Sequence, residues 1–274
     1  MSICNIAYAI KQQYYIIGAN IQLKLKNPAI MPETKHILIL ANSARAGKHC
    51  VAGKAVTQLP DGTFDVHSQW IRLNCSTDSE GAVPYVNTIC QNHGSVRPLD
   101  IIKVTLLAHC NDPDHPEDWQ YDHTQPWQFV SRIDPDCLNE IADAPEKIWH
   151  DHRDNKSVPA GYVPRMGATA ATLYLIKAPL GWTFTHWKES NQYGPMPKTF
   201  RRLEFSYAGT RHDFSVTDTE FTRRHNVYDK MQLYTHQTLP IPNPEKAFFC
   251  LSLTKLTPNF CREHYKICAT IFET

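Results

Sequence analysis

The chain has 274 residues and carries 28 Lys and Arg against 27 Asp and Glu, so it lacks the strongly basic total of a general nucleic-acid binder. Its nine cysteines are odd in number and form no CxxC pair, which leaves zinc ribbons and thioredoxin-like redox motifs unsupported. No run approaches the roughly 20 apolar residues of a membrane helix, and "MSICNIAYAIKQQYY" lacks the basic region and sustained apolar core of a signal peptide.

These features point to a cytoplasmic protein with reduced thiols and no membrane association. The length suits one large or two modest domains. Residues 1–33 read as an N-terminal extension: "YYIIGANIQLKLKN" could pair as an edge strand before "NPAIMPE" breaks it with two prolines.

From residue 36 the pattern is mainly β. "HILILAN" (36–42), "GTFDVHSQWIRL" (62–73), "DIIKVTLLAHC" (100–110) and "PWQFVSRI" (126–133) have strand composition. The stretch "NDPDHPEDWQYDH", with two prolines and many charges, reads as loop. Asp134 as N-cap and Pro135 at the first helical position predict a helix, with Ile133, Cys137, Leu138, Ile141 and Ile148 near helical spacing. "HDHRDNKSVPAGYVP" (150–164) suits an inter-domain linker.

The second half repeats the style with "ATLYLIKA", "GWTFTHW", "TFRRLEFSYAG", "RHDFSVT", "AFFCLSLT" and "HYKICATIF". "AGT" is the predicted hairpin turn, and Thr217 and Glu220 have capping-box spacing for a following helix. The expectation is two consecutive OB-like β-barrels with minor helix. The extension is 1–33, the first barrel with its C-terminal helix 34–155, and the second 156–274.

The stretch "ANSARAGKHCVAGKAV" (41–56) concentrates the candidate chemistry. Arg45 and Lys48 lie in a Gly-containing turn that could present charge and backbone amides to a phosphate, though without Walker spacing. Cys50 beside Lys48 and His49 could be an activated thiol, but "CVAG" reads more simply as the start of a core strand. Trp70 and Arg72 share one strand face, as a base-stacking platform with a phosphate contact requires; Trp70 equally suits a core. The second half offers Arg201 or Arg202, Arg211 and the upstream Trp182 and Trp187, with Arg223 and Arg224 beyond. His and Asp are dense around residues 109–123 and 150–154, yet no zinc or calcium spacing occurs, so no metal and no cofactor is expected.

Taken together, "ILANSARAGKHCVAGKAV", "GTFDVHSQWIRL", "GTRHDFSVTD" and "LSLTKL…HYKICATIF" resemble the bacterial dual-OB-containing domain family over residues 36–272. The first block is the most specific, and "WIRL" departs from the family's Trp-Ile-Arg-Pro step. The resemblance implies two OB barrels and a nucleic-acid role in defence against mobile elements.

The resulting expectation is a non-enzymatic module that binds nucleic acid or a nucleotide through Arg45, Lys48, Lys54, Trp70, Arg72, Trp182, Arg202 and Arg211. Cys50, Gly53, Thr217 and Asp218 are expected to be structural. Two alternatives stand beside it: an enzyme using Cys50 or an Asp/His site, and a module docking on a protein partner in a defence complex.

Overall fold

The computed structural model describes residues 32–45, 47–151, 154–256 and 262–274. The expected extension therefore lies outside the described residues, apart from its last two. Strand β1 (Glu33–Arg45) forms a hairpin with β2 (Lys48–Gln58), and β3 (Phe64–Asn74) extends the meander. After a two-strand ribbon, β4 (Ile89–Cys90) and β5 (Gly94–Ser95), come β6 (Asp100–His109), β7 (Asp118–Tyr121) and β8 (Gln128–Arg132).

Their order is β1-β2-β3-β7-β6, and β6 returns to β1, closing a five-stranded barrel with β8 added on β6. Only β3 and β7 run parallel. Closure depends on the length of β1. Residues Glu33–Leu38 pair with β6, while His36–Arg45 pair with β2. Gly53 sits where the two strands crowd: a Cβ there would lie 1.9 Å from the Leu38 carbonyl oxygen.

The predicted loop at 111–123 contains β7, so that expectation is corrected. Asp118, fully buried, is carried into the sheet by Arg72 (3.3 Å) and Lys255 (2.5 Å), and Tyr121 by the barrel core. Cations from distant strands supply what local composition could not announce. Burial pushes the Asp118 carboxyl up, and the two cations more than offset it, holding it below the ordinary carboxylate range.

The predicted helix is short. Asp134 accepts a bond from Asp136 N, a 3-10 turn follows, and α1 spans only Leu138–Ile141. Beyond it lie β9 (Ser157–Pro159), β10 (Leu173–Lys177), β11 (Thr183–Glu189), β12 (Lys198–Tyr207) and β13 (Thr210–Val216). The predicted hairpin turn has φ 47° at Ala208 and 76° at Gly209, the positive values a two-residue type I′ connection needs.

Helices α2 (Thr219–Arg224) and α3 (Val227–Lys230) follow, then β14 (Gln237–Leu239), β15 (Ala247–Leu253) and β16 (Glu263–Glu273). Asp218, not Thr217, caps α2. One carboxylate oxygen accepts Phe221 N and the other Ile271 N, each at 2.8 Å, while Thr217 N bonds to Cys268 O. The capping box predicted from Thr217 and Glu220 is thus not formed, and the cap lies one residue later.

The second sheet runs β10-β15-β16-β13-β12-β11-β14, with β13 and β16 parallel. It repeats the order of the first barrel, except that the strand equivalent to β1 comes in two pieces. β10 pairs with β15 and β11 with β12. Between them Pro179 removes a donor and Gly181 takes φ 76°, ending one ladder before the other begins.

Three cores result. One fills the first barrel around Ile37, Val51, Ile71, Val104 and Tyr121, and one the second around Phe184, Leu203, Phe214 and Phe249. The third lies between them: Leu38, Leu40, Val56 and Trp70 from the outer face of β1–β3 meet Leu175, Phe248, Cys250 and Phe272. Period-two alternation produces this split, because successive strand residues serve an inner and an outer core. No helix among the described residues is long and apolar enough to cross a membrane.

Candidate nucleic-acid interface

The outer face of β2 and β3 carries the expected aromatic and cationic residues, and the inter-barrel core consumes most of them. Lys54 is 2 % exposed; its Nζ donates to Ile141 O and Asp143 Oδ1, both at 2.6 Å, and lies 5.5 Å from the Trp70 ring centre. Trp70 Nε1 donates to Asp143 Oδ2 at 3.1 Å, and that oxygen also accepts Leu175 N at 2.8 Å. One carboxylate therefore ties two residues of the first barrel to β10 of the second.

Arg72 is similarly enclosed. Nη1 faces Asp118 Oδ1, and Nη2 donates to Thr172 Oγ1 at 2.9 Å and Ser252 Oγ at 3.1 Å. Trp182 is in the second core and donates to Pro244 O. Lys54, Trp70 and Trp182 are thus placed inside the protein and not on a contact surface. The physical reason is that each polar atom finds its partner across a sequence distance no local pattern spans.

Of the remaining cations, Lys48 and Arg211 are exposed. Arg45 ends β1; Lys48 is exposed and pairs with Asp78 at the β1–β2 turn. Arg211 is exposed and pairs with Glu204, while Arg202 is half-buried, with Nε on Asp213 Oδ1 at 2.6 Å and Nη1 on Ser215 Oγ. Cys50 is half-buried. The Asp/His stretch places His115 against His264, ring centres 5.3 Å apart, with Asp112 and Asp114 at 3.6 and 3.5 Å from their respective imidazoles. Among the described residues no three His, Cys, Asp or Glu side chains are arranged to hold a metal ion.

Among the described residues, no other element covers the corresponding face of the second barrel. β11, β12 and β13 turn Thr185, Trp187, Phe200, Arg202, Asp213 and Ser215 into a groove of about 730 Å³. Trp187 and Phe200 are cross-strand partners, and their rings stack at 4.9 Å with planes 6° apart. His236 stacks on Trp187 at 4.0 Å and 13°, extending a row of three parallel rings to an exposed end. Trp187 Nε1 is occupied by Glu189 at 2.7 Å, which fixes the ring's orientation.

Cations border the row. Lys198 Nζ lies 4.9 Å from the Phe200 ring centre, and Arg201, Arg202 and Lys156 line the same groove. Glu189, Glu204 and Asp213 also line it, so the local charge is only slightly positive. The loop between β11 and β12 carries Tyr193, 89 % exposed.

Of the predicted contact residues, the groove gathers Arg202 alone. Sequence reasoning missed Phe200, His236 and Lys198 and noted Trp187 only as a neighbour of the arginines. The signal available was the alternation in "TFTHWKE", which sets Trp187 opposite the buried Phe184 and His186.

The sequence model of the dual OB-containing domain family matches residues 35–271, nearly all of the described chain. No curated protein matches the sequence.

Proposed function

The chain belongs to the dual OB-containing domain family, and from that premise we propose that it binds single-stranded nucleic acid across the outer face of β11, β12 and β13. OB folds present the face of strands 2 and 3, with the loop between strands 1 and 2, to oligonucleotides. Here that face bears three parallel rings, flanking lysine and arginine side chains, and an exposed tyrosine on the loop. The observation that carries the reading is the ring row Phe200–Trp187–His236 on a face that no other described element covers.

Stacking is sequence-tolerant because every base has a π-face, and the cations follow the backbone. The modest charge of the groove favours single strands, whose splayed bases reach the rings, over a duplex held by phosphate contacts alone.

Fluorescence anisotropy with labelled single-stranded DNA, single-stranded RNA and duplex DNA tests this at two salt concentrations. Single strands bind best, and more weakly as salt rises. Trp187→Ala loses about 1–3 kcal/mol, roughly 5- to 150-fold. Absence of binding at low salt, or a Trp187→Ala protein that binds as the parent does, overturns the reading.

A further inference from the structure

Beyond the edge of the inter-barrel core, the outer face of the first barrel continues as Ser43, Cys50 and Arg72, one residue from each of β1, β2 and β3. Ser43 and Cys50 are cross-strand partners. The second barrel roofs this row with Leu253, Lys255, Tyr265 and Ile267, leaving a cleft of about 260 Å³. Tyr265 and Thr217 line both this cleft and the ring-bearing groove, so the two are neighbours.

Two buried polar atoms of the cleft residues have no hydrogen-bond partner among the described residues. They are Arg72 Nε, in a side chain 6 % exposed, and Ser43 Oγ, in a residue 1 % exposed. Buried polar atoms are nearly always paired, so each calls for a partner. Nε–H can only donate, whereas a serine hydroxyl can donate or accept.

The charges decide what kind of partner. Arg72 and Lys255 both contact Asp118; Glu117 lies beside Arg72, and Glu80 is on the cleft wall. Two cations therefore meet three carboxylates, a poor setting for a phosphate. Ala44, Leu253, Ile267 and the Tyr265 ring supply carbon walls. An uncharged planar ring with mixed donors and acceptors on its edge fits the walls, and it pairs the orphaned atoms once the Arg72 and Ser43 side chains turn to present them to the cleft.

We infer that the inter-barrel cleft receives one nucleobase, turned off a strand that lies along the groove of the second barrel. This rests on the strand-binding reading above. The groove then supplies sequence-tolerant stacking, and the cleft supplies base preference through Arg72 Nε and Ser43 Oγ. Preference by hydrogen bonding is the stronger discriminator, since a wrong edge leaves these buried groups unpaired.

Cys50 on the cleft wall gives a local readout. Full-length protein is treated with iodoacetamide, with and without single-stranded oligonucleotides of one base type each. Alkylation is followed by peptide mass spectrometry, with exposed Cys137 as reference. At about ten times the dissociation constant, the preferred oligonucleotide slows Cys50 modification roughly tenfold and leaves Cys137 unchanged.

Ile267→Trp fills the cleft from a half-buried position on its roof, and Ser43→Ala removes one hydrogen-bonding group. Both variants bind all the oligonucleotides alike in anisotropy while keeping the Trp187 dependence. If strands bind through Trp187 but none protects Cys50 and both variants keep the parent's base preference, the cleft inference fails and the groove reading stands. If no strand binds the parent, both fail.

Discussion

The two barrels place the same residue classes on the same face and use them in opposite ways. In the first, Lys54 and Trp70 face each other across β2 and β3; in the second, Phe200 and Trp187 do so across β12 and β11, with Lys198 beside them. The first pair is sealed because Asp143 arrives just after α1 and brings apolar β10 with it. Among the described residues no such partner covers the second pair, and its groove is open there. An aromatic beside a cation on an OB face is therefore not itself a binding signature. What decides is whether another element delivers a counter-charge and a carbon surface to it.

The sharpest way to break this comparison is to remove Asp143. Asp143→Ala leaves the Lys54 ammonium buried without its counter-charge and deprives Trp70 Nε1 and Leu175 N of an acceptor. Breaking a buried pair from one side costs about 3–5 kcal/mol, read as a lower urea midpoint. The Lys54→Met/Asp143→Asn double variant recovers part of that loss, because the buried charge goes with its partner. A shift below about 1 kcal/mol, the size of a surface pair, would mean that the carboxylate does not seal the first face.

Closure of the first barrel is the next target. A methyl at Gly53 meets the Leu38 carbonyl oxygen at 1.9 Å, and the next nearest atoms are also β1 backbone, with no flexible side chain to yield. Gly53→Ala is expected to cost about 1–3 kcal/mol through the forced displacement of β1. The second barrel, whose equivalent strand is already broken at Pro179, has no matching crowded glycine among the described residues. Urea unfolding of Gly53→Ala beside Gly181→Ala distinguishes crowding from the strain of a positive φ, the only penalty at Gly181.

The fold was legible because strand composition and turn chemistry are local. "PDG", "AGT" and the alternation in "GWTFTHW" are each readable within ten residues. β7 was not, since its charged strand is stabilised by Arg72 and Lys255 from far along the chain. The candidate site was legible only in type. Trp70 with Arg72 has the composition of a platform, but alternation assigns a face without telling which face a second barrel will cover. His236 could not be found from the strand pattern at all: it reaches Trp187 from beside the edge strand β14.

The barrels also differ in how their interiors meet acid. His212 is fully buried in the second barrel. Burial, then the neighbouring Lys266 and His150, lower its pKa to about 4 from an ordinary 6.5. The unfolded chain thus binds the proton more readily, and stability falls as the pH drops from about 6.5 towards 4. Urea midpoints across that range follow this slope, and His212→Gln flattens it. Retention of the full slope in the variant would place the acid sensitivity on other histidines, such as His115 in the first barrel, also lowered chiefly by burial.

The smallest effect is expected at Arg211, which shares a hairpin with Arg202 but not its surroundings. Arg202 is half-buried and held by Asp213 and Ser215 within the ring-bearing groove. Arg211 is exposed, pairs with Glu204, and borders a separate shallow depression with Leu180 and Gly181. An exposed pair of this kind gains little over its solvated ions. Arg211→Ala therefore leaves both the urea midpoint and the anisotropy curve for single-stranded DNA unchanged, whereas Arg202→Ala weakens strand binding. A loss of binding in Arg211→Ala with an unchanged midpoint would redirect the strand past the β12–β13 turn. It would then cross the edge of the sheet instead of following the ring row towards Thr217 and the inter-barrel cleft.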